Sequence, residues 1–409
     1  MHRYIFHIGR ATDLCALELN LLLSRFSPTL EHADQHVLIF NFPQEIPVAD
    51  ILATSGGVIK IAQALETIST DKFTLESSFV NYLSDYMEQF VPDKGKIRFG
   101  LSWYGASLGV SLRDLTISLK EQLGERKRSS QFFLGDNNEL SSVQVAKEHL
   151  LGDKGVELLF VRHGENVFVG RTLGVQDFER WSDIDYGRPG RDPKSGMLPP
   201  KVARMMVNIG LCSYLDSNNA TPTVFDPFCG SGTVLTEALQ LGCNVKGSDS
   251  SDKAITDTRA NIEWLIQSNL AKLDHTVYTF PKAAAEPELF VSESVHVTKV
   301  VGQSTIDVIV TEPYMGPTFL EDPTPGKRER IMKGLEKLYI GTLKELYRAL
   351  KPGGVLVFAE PEYFMEGKSF KIGIIDKYAD FGYTKSCNFV SYKRDRSFVG
   401  RRIAILKKV

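Results

Sequence analysis

The sequence predicts an α/β protein, and three observations carry that expectation. Short β-rich runs alternate with runs of helical spacing along the 409 residues. A glycine-rich octet, Asp226-Pro227-Phe228-Cys229-Gly230-Ser231-Gly232-Thr233, sits between an apolar strand pattern and an apolar helix pattern. The closing segments, 389–392 and 401–406, read as an antiparallel pair. Together these predict a Rossmann-like sheet with an antiparallel last strand in residues 201–409. Smaller α/β units at 1–90 and 91–180 precede it, with a linker at 181–200.

Each element has its own reason. Residues 3–10 and 36–42 read as strands around a helix at 14–26, whose leucines recur at helical spacing. After Gly56-Gly57 come a strand at 58–61 and a helix at 79–90, the pattern of a small ferredoxin-like sandwich. From Lys96 a second unit follows: strand 97–104, helix 111–123, strand 131–134, helix 143–150, and paired strands near 156–161 and 166–172. Residues 185–200 are rich in Gly and Pro and read as a linker. Pro199-Pro200 then opens a helix at 201–214, where proline suits the first helical position. Residues 306–310 form a buried strand pattern, and Lys351-Pro352-Gly353-Gly354 turns a helix end into the strand 355–358.

The octet defines a ligand class. Glycines at a strand-to-helix turn let a ligand approach bare backbone beside free helical N–H groups. That is where Rossmann-like sheets bind nucleotide-type cofactors. A second strand, 242–249, ends in Asp249 followed by Ser250. An acid there, about 20 residues beyond the glycines, suits two ribose hydroxyls. The third glycine of a dinucleotide fingerprint is missing, as is the Gly-Lys-Ser/Thr ending of a phosphate loop. A ligand with a ribose and no phosphate fits better, and S-adenosylmethionine is the expected cofactor. Asp226, Pro227, Phe228, Gly230, Ser231, Gly232 and Thr233 would cradle it, with Asp249 and Ser250 at the ribose. Cys229 reads as packing. Glu293 is the acid best placed to approach the adenine amino group.

Asp226-Pro227-Phe228-Cys229-Gly230-Ser231-Gly232 resembles the cofactor motif of the amino-methyltransferases, which methylate exocyclic nitrogens of nucleic-acid bases. Those enzymes carry Asp/Asn-Pro-Pro-Tyr/Phe at the end of the fourth strand. Here the strand ends in Thr311-Glu312-Pro313-Tyr314-Met315-Gly316-Pro317. Alignment on the strand puts Glu312 at the acid with one proline missing; alignment on Pro-Tyr puts Thr311 there. The first is preferred, because a strand end fixes position better than a loop does. The resemblance implies a catalytic set of Glu312, Pro313, Tyr314 and Thr311. A carboxylate accepting an N–H bond localises the lone pair of a weakly nucleophilic base amine. An aromatic ring holds the displaced base by stacking.

The second unit looks like a THUMP domain, an RNA-binding module. Leu140-Ser141-Ser142-Val143 and the hairpin strands 157–160 and 167–172 carry the likeness. In its order of parts, the chain resembles the THUMP-containing tRNA guanosine-N2 methyltransferases that act at position ten. That resemblance implies a module that docks the acceptor end of tRNA and hands a guanine to the catalytic domain. It also implies that Met197, Leu198 and Pro199 close over the methionine end of the cofactor, with Arg188 and Arg191 available for phosphate. Arg126, Lys127 and Arg128 form a further RNA-binding candidate. Basic residues also cluster at Arg188, Arg191 and Lys194, at Lys327, Arg328 and Arg330, and at Lys393, Arg394, Arg396, Arg401 and Arg402; each reads singly as solvated surface. The alternatives are a DNA adenine-N6 or cytosine-N4 methyltransferase and a catalytically inactive RNA-binding protein.

Composition bounds the rest. With 43% hydrophobic and 24% charged residues, the chain can bury substantial cores. A net charge of −2 leaves nucleic-acid binding to local patches. No membrane-length apolar stretch appears, and the start reads as a strand rather than a signal peptide. Five scattered cysteines without a Cys-x-x-Cys pair point to a reducing cytoplasm and to no metal. The expected partners are tRNA and a small activating protein, with the chain a monomer or weak dimer.

Overall fold

The structure is a computed structural model that describes residues 1–91, 95–191, 197–214, 220–268, 270, 273, 276–278, 280, 286–317, 324–365, 368–393 and 397–409. The described chain divides into two compact units. The first comprises residues 1–12, 23–53 and 58–178; the second comprises 13–22, 54–57 and 179–409.

The chain begins with β1 (His2–Ile8), α1 (Thr12–Leu23), β2 (Thr29–Ala33), β3 (Val37–Phe42), α2 (Val48–Thr54), β4 (Val58–Ser69) and α3 (Ser77–Phe90). It continues with β5 (Ile97–Tyr104), α4 (Leu112–Glu125), β6 (Ser130–Phe133), α5 (Ser142–Lys147), β7 (Gly155–His163) and β8 (Asn166–Val175). These eight strands form one sheet in the order β2-β3-β1-β4-β8-β7-β5-β6. The antiparallel ladder between β4 and β8 runs from Lys60↔Val175 to Ser69↔Asn166. The two small units expected at 1–90 and 91–180 therefore share a sheet across that boundary. Periodicity marks a strand but not its partner, so sequence alone could not join them.

One face of this sheet is covered by α3 and α4, whose Leu83, Met87, Leu115 and Leu119 pack on Phe99, Leu158 and Phe160. Inside the sheet Lys60 Nζ meets Glu157 Oε1 at 2.7 Å, both side chains being almost fully buried. Ser102 and Thr172 each donate to Glu157 at 2.6 Å, and Lys60 also donates to the Leu140 carbonyl. A buried ion pair persists only with such hydrogen bonds around it.

The second unit is discontinuous. Most of α1 belongs to it rather than to a ferredoxin-like sandwich. Continuing the chain are α6 (Phe178–Tyr186), α7 (Pro200–Ser213), β9 (Thr223–Asp226), α8 (Thr233–Gln240), β10 (Asn244–Asp249), α9 (Asp252–Gln267), β11 (Glu288–Val291), α10 (Thr298–Val301), β12 (Ile306–Thr311) and α11 (Pro325–Ala349). The last strands are β13 (Leu350–Met365), β14 (Lys368–Lys371), β15 (Tyr383–Lys385), β16 (Val390–Tyr392) and β17 (Val399–Lys408). The sheet order is β11-β10-β9-β12-β13-β17-β15, with β14 on β13 and β16 on β17. The strands from β11 to β13 are parallel, whereas β17 runs antiparallel to β13. The reversed last strand was expected; β15, only three residues long, carries no readable period. On one face Tyr339, Leu343 and Leu346 of α11 pack on Phe225, Ile309 and Phe358. On α7 a Cβ at Gly210 would stand 2.8 Å from Val308, so glycine there permits the helix to approach β12.

Glu18 of α1 anchors the discontinuous piece. Its buried carboxylate accepts from Ser55 Oγ at 2.7 Å, from the Gly56 and Gly57 N–H groups at 2.8 and 2.9 Å, and from Asn208 Nδ2 at 2.6 Å. The two glycines are required by crowding: a Cβ would meet the Lys201 carbonyl at 2.4 Å from Gly56, and Cys15 at 2.9 Å from Gly57.

Candidate active site

The site is built at the carboxyl ends of β9, β10 and β12, where a parallel sheet opens a crevice. β9 ends in Asp226, and the turn after it uses Gly230 at φ +52° and Gly232 at φ +82°. Both lie in the left-handed region that favours glycine. Among the described residues a Cβ at Gly230 would find only the Phe228 carbonyl, 4.0 Å away, so the backbone there stands open to a ligand. At Gly232 a Cβ would strike Thr258 at 2.9 Å, so this glycine shapes the turn. The turn borders a cavity of about 1280 Å³, ample for a ligand cleft.

Fourteen of the expected site residues line that cavity: Asp226, Pro227, Phe228, Gly230, Ser231, Thr233, Asp249, Ser250, Glu293, Met197, Leu198, Glu312, Pro313 and Tyr314. Three of the expected catalytic and cofactor residues do not. Gly232 lies in the turn behind, and Pro199 caps the start of α7, its carbonyl accepting from Ala203 N at 3.0 Å. Thr311 is fully buried and donates to Asp226 Oδ1 at 2.7 Å. This hydrogen bond gives it a supporting place beneath the turn.

Charge is distributed unevenly around the cavity. Burial pushes the Asp226 carboxyl up to about 7; the hydrogen bonds from Thr311 and the Phe228 N–H oppose that rise, while Asp249 and Glu312 add to it. Asp249 at the tip of β10 accepts from the Gly230 N–H at 3.0 Å through Oδ2, and from the Ser251 N–H at 2.9 Å through Oδ1. Its orientation is thereby fixed against the glycine turn. Glu312, just past β12, is gripped by Arg401 of β17: Nη2 donates to Oε1 at 3.0 Å and Nε to Oε2. A fork-to-fork pair of this kind fixes the position of the carboxylate. Tyr314 is 56% exposed. Its carbonyl accepts from Tyr339 Oη at 2.7 Å, and the Met315 carbonyl accepts from Tyr363 Oη at 2.6 Å. Two buried tyrosines thus hold the loop and leave the Tyr314 ring at the cavity edge.

Several partners were not singled out beforehand. Arg401 belongs to a cluster read as solvated surface, yet it and Arg402 are buried; Arg402 bonds Glu360 at 3.2 Å and Asp376 at 2.6 Å. On α9, Thr258 donates to the Gly230 carbonyl at 2.8 Å, and Asn261 bridges the Ser231 and Gly190 carbonyls at 2.7 and 2.8 Å. The Gly190 N–H returns a bond to Asn261 Oδ1 at 2.7 Å. Polar residues three apart on a helix face that should be apolar are the signal that could have found this pair. Ser231 Oγ lies 3.6 Å from Met197 Sδ, so Gly190, through Asn261, and Met197 are each tied to the turn.

The basic candidates divide. Arg188 is buried and donates to Thr233 Oγ1 at 2.7 Å. That corrects the expectation that it offers itself to a phosphate on the surface. Arg126 is engaged by Asp85 at 2.6 Å and Glu88 at 2.9 Å, and Arg128 by the Val91 carbonyl at 2.8 Å, whereas Lys127 is exposed. Arg191 is exposed and lies 5.2 Å over the Tyr186 ring. Lys194, Arg394 and Arg396 lie outside the described residues. Among the described residues, no helix is long and apolar enough to cross a membrane.

These residues suit S-adenosylmethionine: bare backbone at Gly230, an acid poised at Asp249, and room for an acceptor base beside Glu312 and Tyr314. Comparison with known proteins gives the same direction. Residues 190–370 match the family described as UPF0020, RMKL-like, methyltransferase domain. The crystal structure of TrmN from Thermus thermophilus superposes with a TM-score of 0.57 at 16% identity over 100% of both chains, a likeness of fold alone. A tRNA (guanine(10)-N2)-dimethyltransferase of Methanothermobacter thermautotrophicus is 29% identical over 196 residues, 47% of this chain and 47% of its own length. One from Pyrococcus abyssi is 27% identical over 203 residues, 48% of this chain and 50% of its own. Against these two the chain spans about half of the relative's length. One from Methanocaldococcus jannaschii is 31% identical over 354 residues, covering 84% of this chain and 87% of that protein. By that match the chain belongs to the tRNA (guanine(10)-N2)-dimethyltransferase family.

Proposed function

We propose that the protein is an S-adenosylmethionine-dependent methyltransferase acting on the exocyclic N2 of a guanosine in tRNA. The observation that carries the reading is one cavity holding both halves of the reaction: Gly230 and Asp249 on one side, Glu312 and Tyr314 on the other. Asp249 would hold the ribose hydroxyls with Ser250 beside it, and Glu293 would meet the adenine edge. When bound, the cofactor would supply an electrophilic methyl group to N2, leaving S-adenosylhomocysteine. The chain's own residues position the acceptor. Glu312 accepts an N–H bond from the amine and localises its lone pair, Pro313 shapes the backbone next to it, and Tyr314 stacks on the base. The proton released from N2 leaves to solvent.

The first unit supports substrate docking in this reading, as the THUMP-like module that engages tRNA. Exposed Lys127 and Arg191 are phosphate contacts, and the protein works in the cytoplasm. A small activating protein is a further partner. The test is transfer from labelled S-adenosylmethionine to unmodified tRNA, with duplex DNA in parallel and nucleoside analysis of both. N2-methylated guanosine in tRNA is the expected product. Methyladenine or methylcytosine in DNA would keep the cofactor site and overturn the substrate. Cofactor binding without transfer to either would point to the absent activator, and no binding at all to an inactive RNA-binding protein.

A further inference from the structure

The solvent face of α11 carries a line of cations. Lys327, Arg330, Lys333, Lys337, Lys344 and Arg348 follow one another at spacings of three, three, four, seven and four. Such spacings keep them on one side of the helix, opposite the core residues Leu335, Tyr339, Leu343 and Leu346. All six are exposed. At about 1.5 Å per residue the line is about 30 Å long. The three glutamates of α11 are engaged: Glu329 with Lys333 at 2.8 Å, Glu336 with Lys377 at 3.6 Å, and Glu345 with Thr298 at 2.6 Å and Arg348 at 2.8 Å. Lys327, Lys337 and Lys344 have no ion-pair or hydrogen-bond partner among the described residues. A merely solvated surface mixes both signs, and this chain holds 50 acids against 48 Lys and Arg. A surplus of one sign along one helix face is the footprint of a polyanion.

Gly334 is an independent sign of a ligand. It is exposed, in the interior of the helix, between Lys333 and Lys337, where glycine weakens the helix. Gly341 on the same helix has a packing reason, since a Cβ there would meet Val295 at 2.8 Å. A Cβ at Gly334 would meet nothing within 4 Å among the described residues. Bare backbone on a basic face lets a ligand come close, and a chain of phosphates is the ligand such a face attracts. The line also starts beside the cavity. Leu338 lines that cavity, and Ile331 and Leu335 stand 3.4 and 3.5 Å from where a Cβ would lie on Gly316 in its wall. We propose that this face of α11 binds the sugar–phosphate backbone of the substrate RNA, with Gly334 as the point of closest approach. The unit that carries the cavity thereby grips the strand whose base enters it. This rests on the tRNA reading given above.

The experiment measures binding of unmodified tRNA to the full chain by fluorescence anisotropy across a KCl series, with S-adenosylhomocysteine affinity as the check on folding. The double variant Lys337→Gln, Lys344→Gln should bind tRNA about 10- to 30-fold more weakly. Its slope of log affinity against log salt should fall by about 1.5, the value of two phosphate contacts. Gly334→Gln should raise the melting temperature, glutamine being the better helix former, yet weaken tRNA binding about 3-fold or more. Those opposite signs separate contact with RNA from an effect on the fold. A double variant with the wild-type slope overturns the inference, whether or not its affinity falls. A Gly334→Gln protein that binds as tightly as the wild type overturns the close approach at Gly334. In both cases methyl transfer to tRNA by the wild type would leave the functional reading standing. Wild-type protein that binds no tRNA, or that methylates duplex DNA alone, overturns that reading and the inference with it.

Discussion

Glu312 and Arg401 lie 89 residues apart in sequence and form a two-pronged ion pair in the cavity wall. The acid was legible because a strand pattern ends just before it; its partner was not, because an arginine among other basic residues has no local sign of burial. If Arg401 holds Glu312 correctly turned, Arg401→Met should lower kcat about 10- to 100-fold, with KM for cofactor little changed. Arg401→Lys should recover part of the rate, and a kcat unchanged in Arg401→Met beside a lowered melting temperature would mean the pair serves stability only. Asp249→Ala should weaken cofactor binding by about 1.5–3 kcal/mol, the scale of a charge-assisted hydrogen bond; calorimetry that finds unchanged affinity would remove the ribose assignment. Asp226 titrates in the opposite sense from a stabilising acid. Its folded value, about 7, exceeds the ordinary 3.8, so its contribution is complete below pH 3.8 and is lost as pH rises toward 7. Asp226→Asn should therefore flatten the fall in melting temperature of the ligand-free protein across that window, which thermal scans at several pH values would read directly.

Among the elements, α1 and α9 do work that their own patterns do not announce. The leucines of α1 predict a helix, and a helix forms; Glu18 on it, surrounded by four donors, decides that it packs with α7 and the 54–57 loop. Removing that acceptor strands Ser55, two glycine N–H groups and Asn208 in the interior. Glu18→Ala should cost about 3 kcal/mol or more, seen as a lower urea midpoint at unchanged slope. On α9, Asn261 holds the Gly190 backbone and the Ser231 carbonyl together. Asn261→Ala should loosen the stretch before α7, raising the cofactor Kd about tenfold while melting temperature moves little. A loss of stability with unchanged Kd would instead make Asn261 a packing residue. The elements at 97–104, 166–175 and 200–213 were readable because each combines a clear period with a turn or proline signal at its boundary. β15 was not, since three residues show no period.

At the scale of the molecule, the second unit is assembled from three stretches of chain, and its first piece precedes most of the first unit in sequence. A fragment beginning at residue 179 lacks α1 and the 54–57 loop, leaving Asn208 and the α7 surface without their cover. Such a fragment should show broad, low-cooperativity thermal unfolding, whereas the full chain unfolds sharply; a fragment as stable as the full chain would contradict the shared core. The sequence by itself determined the α/β class, the second sheet with its reversed last strand, the glycine turn, and the places of Asp249 and Glu312 at strand ends. All of these are local: a period of two or 3.6, a glycine that must take positive φ, an acid at a strand tip. Only the tertiary structure decided that β4 pairs with β8 to make one eight-stranded sheet, that α1 belongs to the catalytic unit, that Arg401 grips Glu312, and that Arg188 turns inward to Thr233. Those outcomes depend on which distant segment fills a given space. A buried ion pair or hydrogen bond between residues far apart leaves no trace in the local pattern of either.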